Sequence, residues 1–443
     1  MKTQPKRKFL LCLLGLLVIP LLIFVSCAAP VEEEEEEEVV TVEPIKLALI
    51  SPLEFIAGKH HRMSAILAVE EINEAGGVNV AGVMRPIELV IRDSNELKSI
   101  PDAVSAVEWA ITVEKVDFVM GGHRSEAVFA MSDVAMDYKK LYLTAGAASK
   151  VLGQRVADDY DRYKYFFRLN YPHGEFMGPI GAYCTEMVAN VMKEKLGVEP
   201  KIAIVMGKTL WADPQVIQAN EHFLDMGFEV VGIWRPSSVA TDVTAELTAI
   251  NAAGANIIHI TFTGPVGIPF ARQRAELGLP VAVSGYNEEA GSTEYWEITE
   301  GAADYEGPYF NTVSPNADIT PTSKHFWKAF YDRWGVQPMI ISSCYHQVYI
   351  LKDAIEKVGA IDQDALVKTL EETDYPAPQG RIVLDSHHDV IWGAGYYTFV
   401  GNQWRDGEYR TVWPPADGSW RGVVYPGIID YEFSPVLLEA LGK

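Results

Sequence analysis

The sequence predicts an α/β protein of two Rossmann-like lobes, each built on a parallel central sheet, joined by a multi-crossover hinge. Three observations carry that expectation. From Ile45 short apolar runs alternate with amphipathic helical stretches, a second series of the same kind begins near Tyr171, and long helical patterns followed by strand patterns close the chain. Such alternation calls for parallel sheets covered on both faces, and two series within 443 residues call for two lobes.

Ahead of the first series, MKTQPKRK supplies a positive flank, FLLCLLGLLVIPLLIF an apolar core, and small residues lead to Cys27. Residues 1–27 read as a bacterial lipoprotein signal peptide whose cleavage leaves Cys27 as the lipidated first residue. A retained membrane anchor is the alternative, since the apolar run comes close to spanning length. Both readings put the body outside the cytoplasm. Residues 28–44, AAPVEEEEEEEVVTVEP, repel themselves and hold nothing to build a core, so they form an acidic tether.

Residues 45–165 are the first part of lobe one. IKLALIS is a short buried strand, ILAVEEINEAGG an amphipathic helix stopped by Gly76 and Gly77, PIELVIRDS a strand and DAVSAVEWAITVE a helix. The stretch 116–149 follows as strand, Gly-Gly turn, helix opening near Ser125, second strand at 141–143, and the small-residue loop TAGAAS. Residues 166–285 repeat the alternation as the first part of lobe two, with strands in KIAIVMG, FEVVGIW, ANIIHITF and VAVSG. Residues 286–375 return to long helices and are expected to cover lobe one. Residues 376–415, with RIVLD, GAGYYTFV and YRTVW, are expected to complete lobe two, leaving a tail at 416–443. Repeated crossing makes a hinge, and two lobes on a hinge enclose a cleft.

Composition excludes several functions. A net charge of −23 argues against nucleic acid, whose phosphates need a basic face. No G-x-S-x-G elbow, Walker loop or H-E-x-x-H occurs, and Gly121-Gly122 lacks the rest of a dinucleotide fingerprint, so neither an enzyme nor a cofactor is expected. The histidine pairs His60-His61 and His387-His388 are adjacent and point apart, unlike spaced zinc ligands, so no metal is expected. His123 stands out because it falls at the cleft. Cys184 and Cys344 lie in apolar helical patterns and read as buried thiols, a disulfide being the alternative in an oxidising compartment.

The candidate site lies in 116–149. Two parallel strands joined by a helix bring both strand ends to one edge of the sheet, where open α/β folds hold ligands. Free N–H groups at the helix start, beside Arg124 and Ser125, suit a carboxylate, and the small residues Ala147, Ala148 and Ser149 let a ligand lie against backbone. Trp211 follows a strand and precedes Asp213-Pro214, which places it at the cleft rim as an apolar wall.

The order IKLALIS, LAVEEINEAGGV, the VMGG and LTAGA loops, TDVTAELTAI, ALVKTLEE, GRIVLDSHHDV and VWPP resembles the type 1 periplasmic binding fold. Within it the chain is similar to the branched-chain amino acid (leucine/isoleucine/valine) branch of ABC-transporter solute-binding proteins, over about residues 45–415. The resemblance implies a ligand carboxylate and ammonium held by Ser125 and by residues 147–149, an aromatic wall at Trp211, a polar or acidic group within Tyr286-Asn287-Glu288, and a tyrosine at Tyr345. In this sequence the loop hydroxyl is displaced relative to that pattern. The function implied is capture of a small carboxylate-bearing solute for a membrane permease by a monomer, with a ligand sensor uncoupled from transport as the alternative.

Overall fold

The computed structural model describes residues 42–443 apart from Ala394. The signal peptide, Cys27 and the tether up to residue 41 lie outside the described residues. Among the described residues, no helix is long and apolar enough to cross a membrane.

The first series builds a five-stranded, all-parallel sheet. Its elements in chain order are β1 (Ile45–Ser51), α1 (Ile56–Glu74), β2 (Ile87–Asp93), α2 (Ile100–Thr112), β3 (Phe118–Gly121), α3 (Ser125–Asp137), β4 (Tyr142–Thr144), α4 (Lys150–Asp158) and β5 (Phe166–Phe167). The strand order is β2-β1-β3-β4-β5. β1 and β3 are buried along almost their whole length, which is why they read as unbroken apolar runs. α2 starts where Ser99 caps it, its side chain accepting from the Asp102 N–H, with a proline in the first turn. Right-handed crossovers set α2 and α3 on one face and α1 on the other.

The second series builds a seven-stranded sheet. It contains α5 (Gly174–Val191), β6 (Lys201–Met206), α6 (Asp213–Asp225), β7 (Glu229–Trp234), α7 (Thr244–Ala252), β8 (Ile257–Phe262), α8 (Gly267–Glu276), β9 (Ala282–Asn287) and β10 (Tyr309–Asn311). The chain then leaves this sheet for α9 (Ser323–Trp334), α10 (Cys344–Val358) and α11 (Gln363–Glu371), which return to lobe one and share its core with α1. β11 (Val400–Arg405) and β12 (Glu408–Trp413) pair antiparallel and finish the second sheet, in the order β12-β11-β10-β9-β8-β6-β7. The chain therefore passes between the sheets three times, after β5, after β10 and before β11.

Three details differ from the sequence reading. β10 falls inside the segment expected to return wholly to lobe one, yet it pairs parallel with β9; at three residues it is too short to show a period. RIVLD does not join the second sheet, because its residues form a separate hairpin, Asp374–Ala377 with Gly380–Val383. The last strand pair begins only at Val400, the final residue of GAGYYTFV, and its first strand runs on to Arg405. The tail is not loose: Tyr431, Phe433 and Leu437 are buried with Val188, Met192, Ile202 and Phe223 of lobe two. Cys184 and Cys344 are free and buried.

Candidate ligand-binding cleft

In each sheet the strand order reverses beside its first strand, between β1 and β3 in one and between β6 and β8 in the other. Loops leaving the carboxyl ends of strands on either side of such a switch point diverge and leave a crevice. The two crevices face one another, and a cavity of about 250 Å³ lies between them. Lobe one lines it with Phe55 and Ile56 after β1, residues 123–126 after β3, and Ala147 and Ala148 after β4. Lobe two lines it with Lys208, Thr209 and Trp211 after β6, Thr263 after β8, and Tyr286, Glu288 and Glu289 at β9.

The lobe-one floor is a pair of interlocked loops. Ala145, Gly146 and Ala147 donate their N–H groups to the carbonyls of Gly121, Gly122 and His123, extending the β3–β4 pairing beyond the strands. Ser125 Oγ accepts the Ser149 N–H at 3.1 Å, so Ser125 fixes the second loop as well as facing the cavity. No side chain caps the start of α3, which leaves first-turn N–H groups at the cavity wall. Gly146 has to be glycine, since a Cβ there would sit 2.6 Å from His123 Nδ1 and 2.8 Å from its Cα. Buried Glu96 holds the turn from behind, accepting the N–H groups of both His123 and Arg124 at 2.6 Å. Arg124 reaches Glu126 at 3.3 Å across the rim.

On lobe two, the Trp211 ring meets Tyr286 edge-on at 5.8 Å, and Tyr286 stacks on Phe310 at 4.6 Å. With Phe55 and Tyr171 these rings give the cavity aromatic walls. Arg235 pins the Trp211 loop by donating to the Met206 and Gly207 carbonyls and to Asp213.

The lobes touch through charge. His123 Nε2 lies 3.1 Å from Glu288 Oε1, the two side chains being 9 % and 2 % exposed. The contact is an ion pair off hydrogen-bond alignment. Burial works against a charged His123, but Glu288 and then Glu96 raise its pKa above the ordinary value. Burial likewise opposes a charged Glu288, and His123 with the Gly264 N–H holds its pKa below the usual range. Both directions favour the charged pair. Burial and the neighbouring Glu288 charge push Glu289 up to about 7.

Two of the sequence candidates lie off the cavity lining. Ser149 is behind it, with its N–H on Ser125 and its carbonyl accepting from buried Arg168. Tyr345 is elsewhere: its hydroxyl, like that of Tyr349, donates to Glu71 of α1 at 2.6 Å. The helical period explains this. Ser343, His346 and Gln347 share one face of α10 and donate to the carbonyls of Ala145, Leu169 and Thr144, so α10 props the second loop. Tyr345, two residues from Ser343, points to the opposite side. Arg124, Ser125, Ala147, Ala148, Trp211, Tyr286 and Glu288 all come together at the cavity. Glu289 joins them beside Glu288, and so do Phe55, Tyr171, Lys208 and Thr263, which were not singled out in the sequence. The rule that flagged 121–125, a loop after a parallel strand, reaches Phe55, Lys208 and Thr263 equally well.

A family model described as periplasmic binding protein matches residues 44–400. The chain is 24% identical over 376 residues to a leucine-, isoleucine-, valine-, threonine- and alanine-binding protein of Pseudomonas aeruginosa, covering 83% of this chain and 92% of that relative. Among solved structures it is similar to a branched-chain amino acid transporter substrate-binding protein from Streptococcus pneumoniae in complex with isoleucine, with TM-score 0.68, 19% identity, and coverage of 84% and 99% of the two chains. It is also similar to an ABC-transporter solute-binding protein from Rhodopseudomonas palustris in complex with 3,4-dihydroxybenzoic acid, with TM-score 0.68, 18% identity, and coverage of 88% and 99%.

Proposed function

The chain belongs to the periplasmic binding protein family, and from that premise we propose that it is the extracytoplasmic solute receptor of an ABC importer, closing two lobes on a small carboxylate-bearing ligand. One observation carries the reading: a single cavity is walled by the switch-point loops of both sheets. A ligand that touches both walls favours the closed arrangement by its differential affinity, and that arrangement is what a permease distinguishes from an open one.

The roles follow from the lining. The carboxylate docks on lobe one at the start of α3, with Ser125 and the backbone at Ala147 and Ala148, beside Arg124. Trp211 and Tyr286 cover the apolar body from lobe two, with Glu288 at their edge. Ser149 supports the loop and Tyr345 has no contact role. The relatives' reported ligands, a branched-chain amino acid and an aromatic acid, fit a cavity with aromatic walls and one anion-binding end. The receptor works without chemical change to its ligand, as a monomer tethered through a lipid on Cys27 and residues 28–44.

The test is a thermal-shift screen of the purified chain against amino acids and organic acids, with mass spectrometry of any molecule that co-purifies. A carboxylate at a hundredfold excess over its Kd adds about 2.7 kcal/mol. Stabilisation by a carboxylate, lost in the corresponding amide, supports the reading; no response across the acids overturns it. Mass analysis of the mature N-terminus checks the lipid on Cys27.

A further inference from the structure

We infer that the cleft takes a carboxylate that carries no ammonium group, because His123 of lobe one already occupies, from across the cleft, the Glu288 carboxylate that an ammonium would need. The inference rests on the solute-receptor reading and narrows it.

The charges lining the cavity make the case. Three carboxylates reach it, Glu126, Glu288 and Glu289. Glu126 is held by Arg124 at 3.3 Å. Glu288 Oε2 accepts the Gly264 N–H at 2.9 Å, and its Oε1 faces His123 Nε2 at 3.1 Å, within ion-pair range though off hydrogen-bond alignment. Glu289 sits next to Glu288, and burial with that neighbour pushes it up to about 7, which leaves it about half neutral at neutral pH. On the cationic side, Lys208 lines the cavity while staying exposed to solvent, and no ion pair among the described residues involves it. The cavity thus holds two matched pairs, one weak acid and one spare cation. An ammonium entering it meets the His123 ring at the acidic position and finds unpaired only Glu289, which is half neutral at neutral pH, and an unpaired buried charge is strongly disfavoured. A carboxylate meets the open start of α3 and Lys208. Phe55, Tyr171, Trp211 and Tyr286 supply flat apolar walls for the remainder, so the body is aromatic or branched aliphatic.

His123 is fixed in this role by its surroundings. Glu96 clamps its backbone N–H at 2.6 Å, Gly146 leaves room for the ring, and the ring of His61 lies 5.8 Å away on the lobe-one side. His61 is buried, and burial with the neighbouring histidines drives its pKa well down, so it adds no charge. The residue therefore acts as a specificity determinant: it cancels Glu288 and excludes an amine from the same place.

Calorimetry on the full chain, dialysed free of bound solutes, compares matched pairs: 4-methylpentanoate with leucine and 3-phenylpropanoate with phenylalanine, with benzoate as an added acid. The expected result is that the acid of at least one pair binds at least tenfold tighter than its amino acid. If the amino acids bind equally well or better, this inference falls while the carboxylate-receptor reading stands. If no acid and no amino acid binds, both fall. A second arm uses His123→Gln, which releases Glu288; the acid-to-amino-acid preference is expected to drop at least tenfold. A folded variant that keeps the wild-type preference overturns the role of His123, and the wild-type comparison decides the ligand class whether or not the variant folds.

Discussion

At the scale of single residues, buried histidines set the response to acid. His60 is buried on α1, its Nδ1 3.0 Å from Ser342 Oγ and its ring stacked on Phe330, and burial lowers its pKa to about 3. The unfolded chain takes up the proton near the ordinary value of 6.5, long before the folded one does. Stability from this group is therefore full above pH 6.5 and is lost as pH falls toward 3, about 2 kcal/mol being gone by pH 5. His60→Gln removes the titration, so the stability gap between wild type and variant narrows by about 2 kcal/mol between pH 7 and pH 5 in denaturant unfolding. A gap independent of pH contradicts the assignment. Gly146→Ala tests the loop floor: its Cβ would press on both the ring and the backbone of His123, so a loss of about 1–3 kcal/mol and a weakened ligand affinity are expected. An unchanged titration curve with ligand would show that the turn yields freely.

At the scale of elements, the legible part of the site was the part written in one stretch. Residues 121–126 and 144–149 sit side by side in sequence and in space, because a β-α-β unit puts consecutive strand ends at one edge. The partners of those loops were hidden, since Glu96, Ser343 and Gln347 reach them from separate elements that only the packing brings near. The α10 pattern was readable as a helix, but which face Tyr345 presents depended on how α10 lies against α1. Likewise β10 and the hairpin Val78–Val80 with Val83–Arg85 were too short to declare themselves by period. The two ends of a parallel sheet also have separate duties. Gln363, the first residue of α11, accepts the Leu141 N–H and donates to the Asp117 carbonyl, at the ends of β3 and β4 away from the cleft. Asp362 caps that helix, accepting the Ala365 N–H at 2.8 Å. Asp362→Ala is expected to cost about 1 kcal/mol of stability and to leave ligand affinity as it was; a changed affinity would mean the far edge is coupled to the cleft.

For the whole molecule, the division into two lobes of alternating strands and helices was plain from the period of the sequence, while the exchange of segments between them was plain only in part. The long late helices pack in the core they share with α1, and β11 and β12 pair at the edge of the second sheet. The tail beyond the family match proved to be core: Phe433 packs edge-on to Tyr431 at 5.1 Å within the lobe-two cluster. Phe433→Ala should lower stability by about 3 kcal/mol, and a change within ±0.5 kcal/mol would show the tail to be dispensable. The three passages between sheets also fix a timetable. The strands of the first sheet are complete by Phe167, yet α9–α11, which complete its core, are made only after five of the seven strands of the second sheet. A nascent polypeptide thus presents bare apolar surface until residue 371 has emerged, and neither half of the molecule can lock shut early. A fragment ending at residue 320 should bind an apolar dye and melt without a sharp transition. For a protein destined to be threaded through a membrane, late locking keeps the chain pliable for the length of its passage.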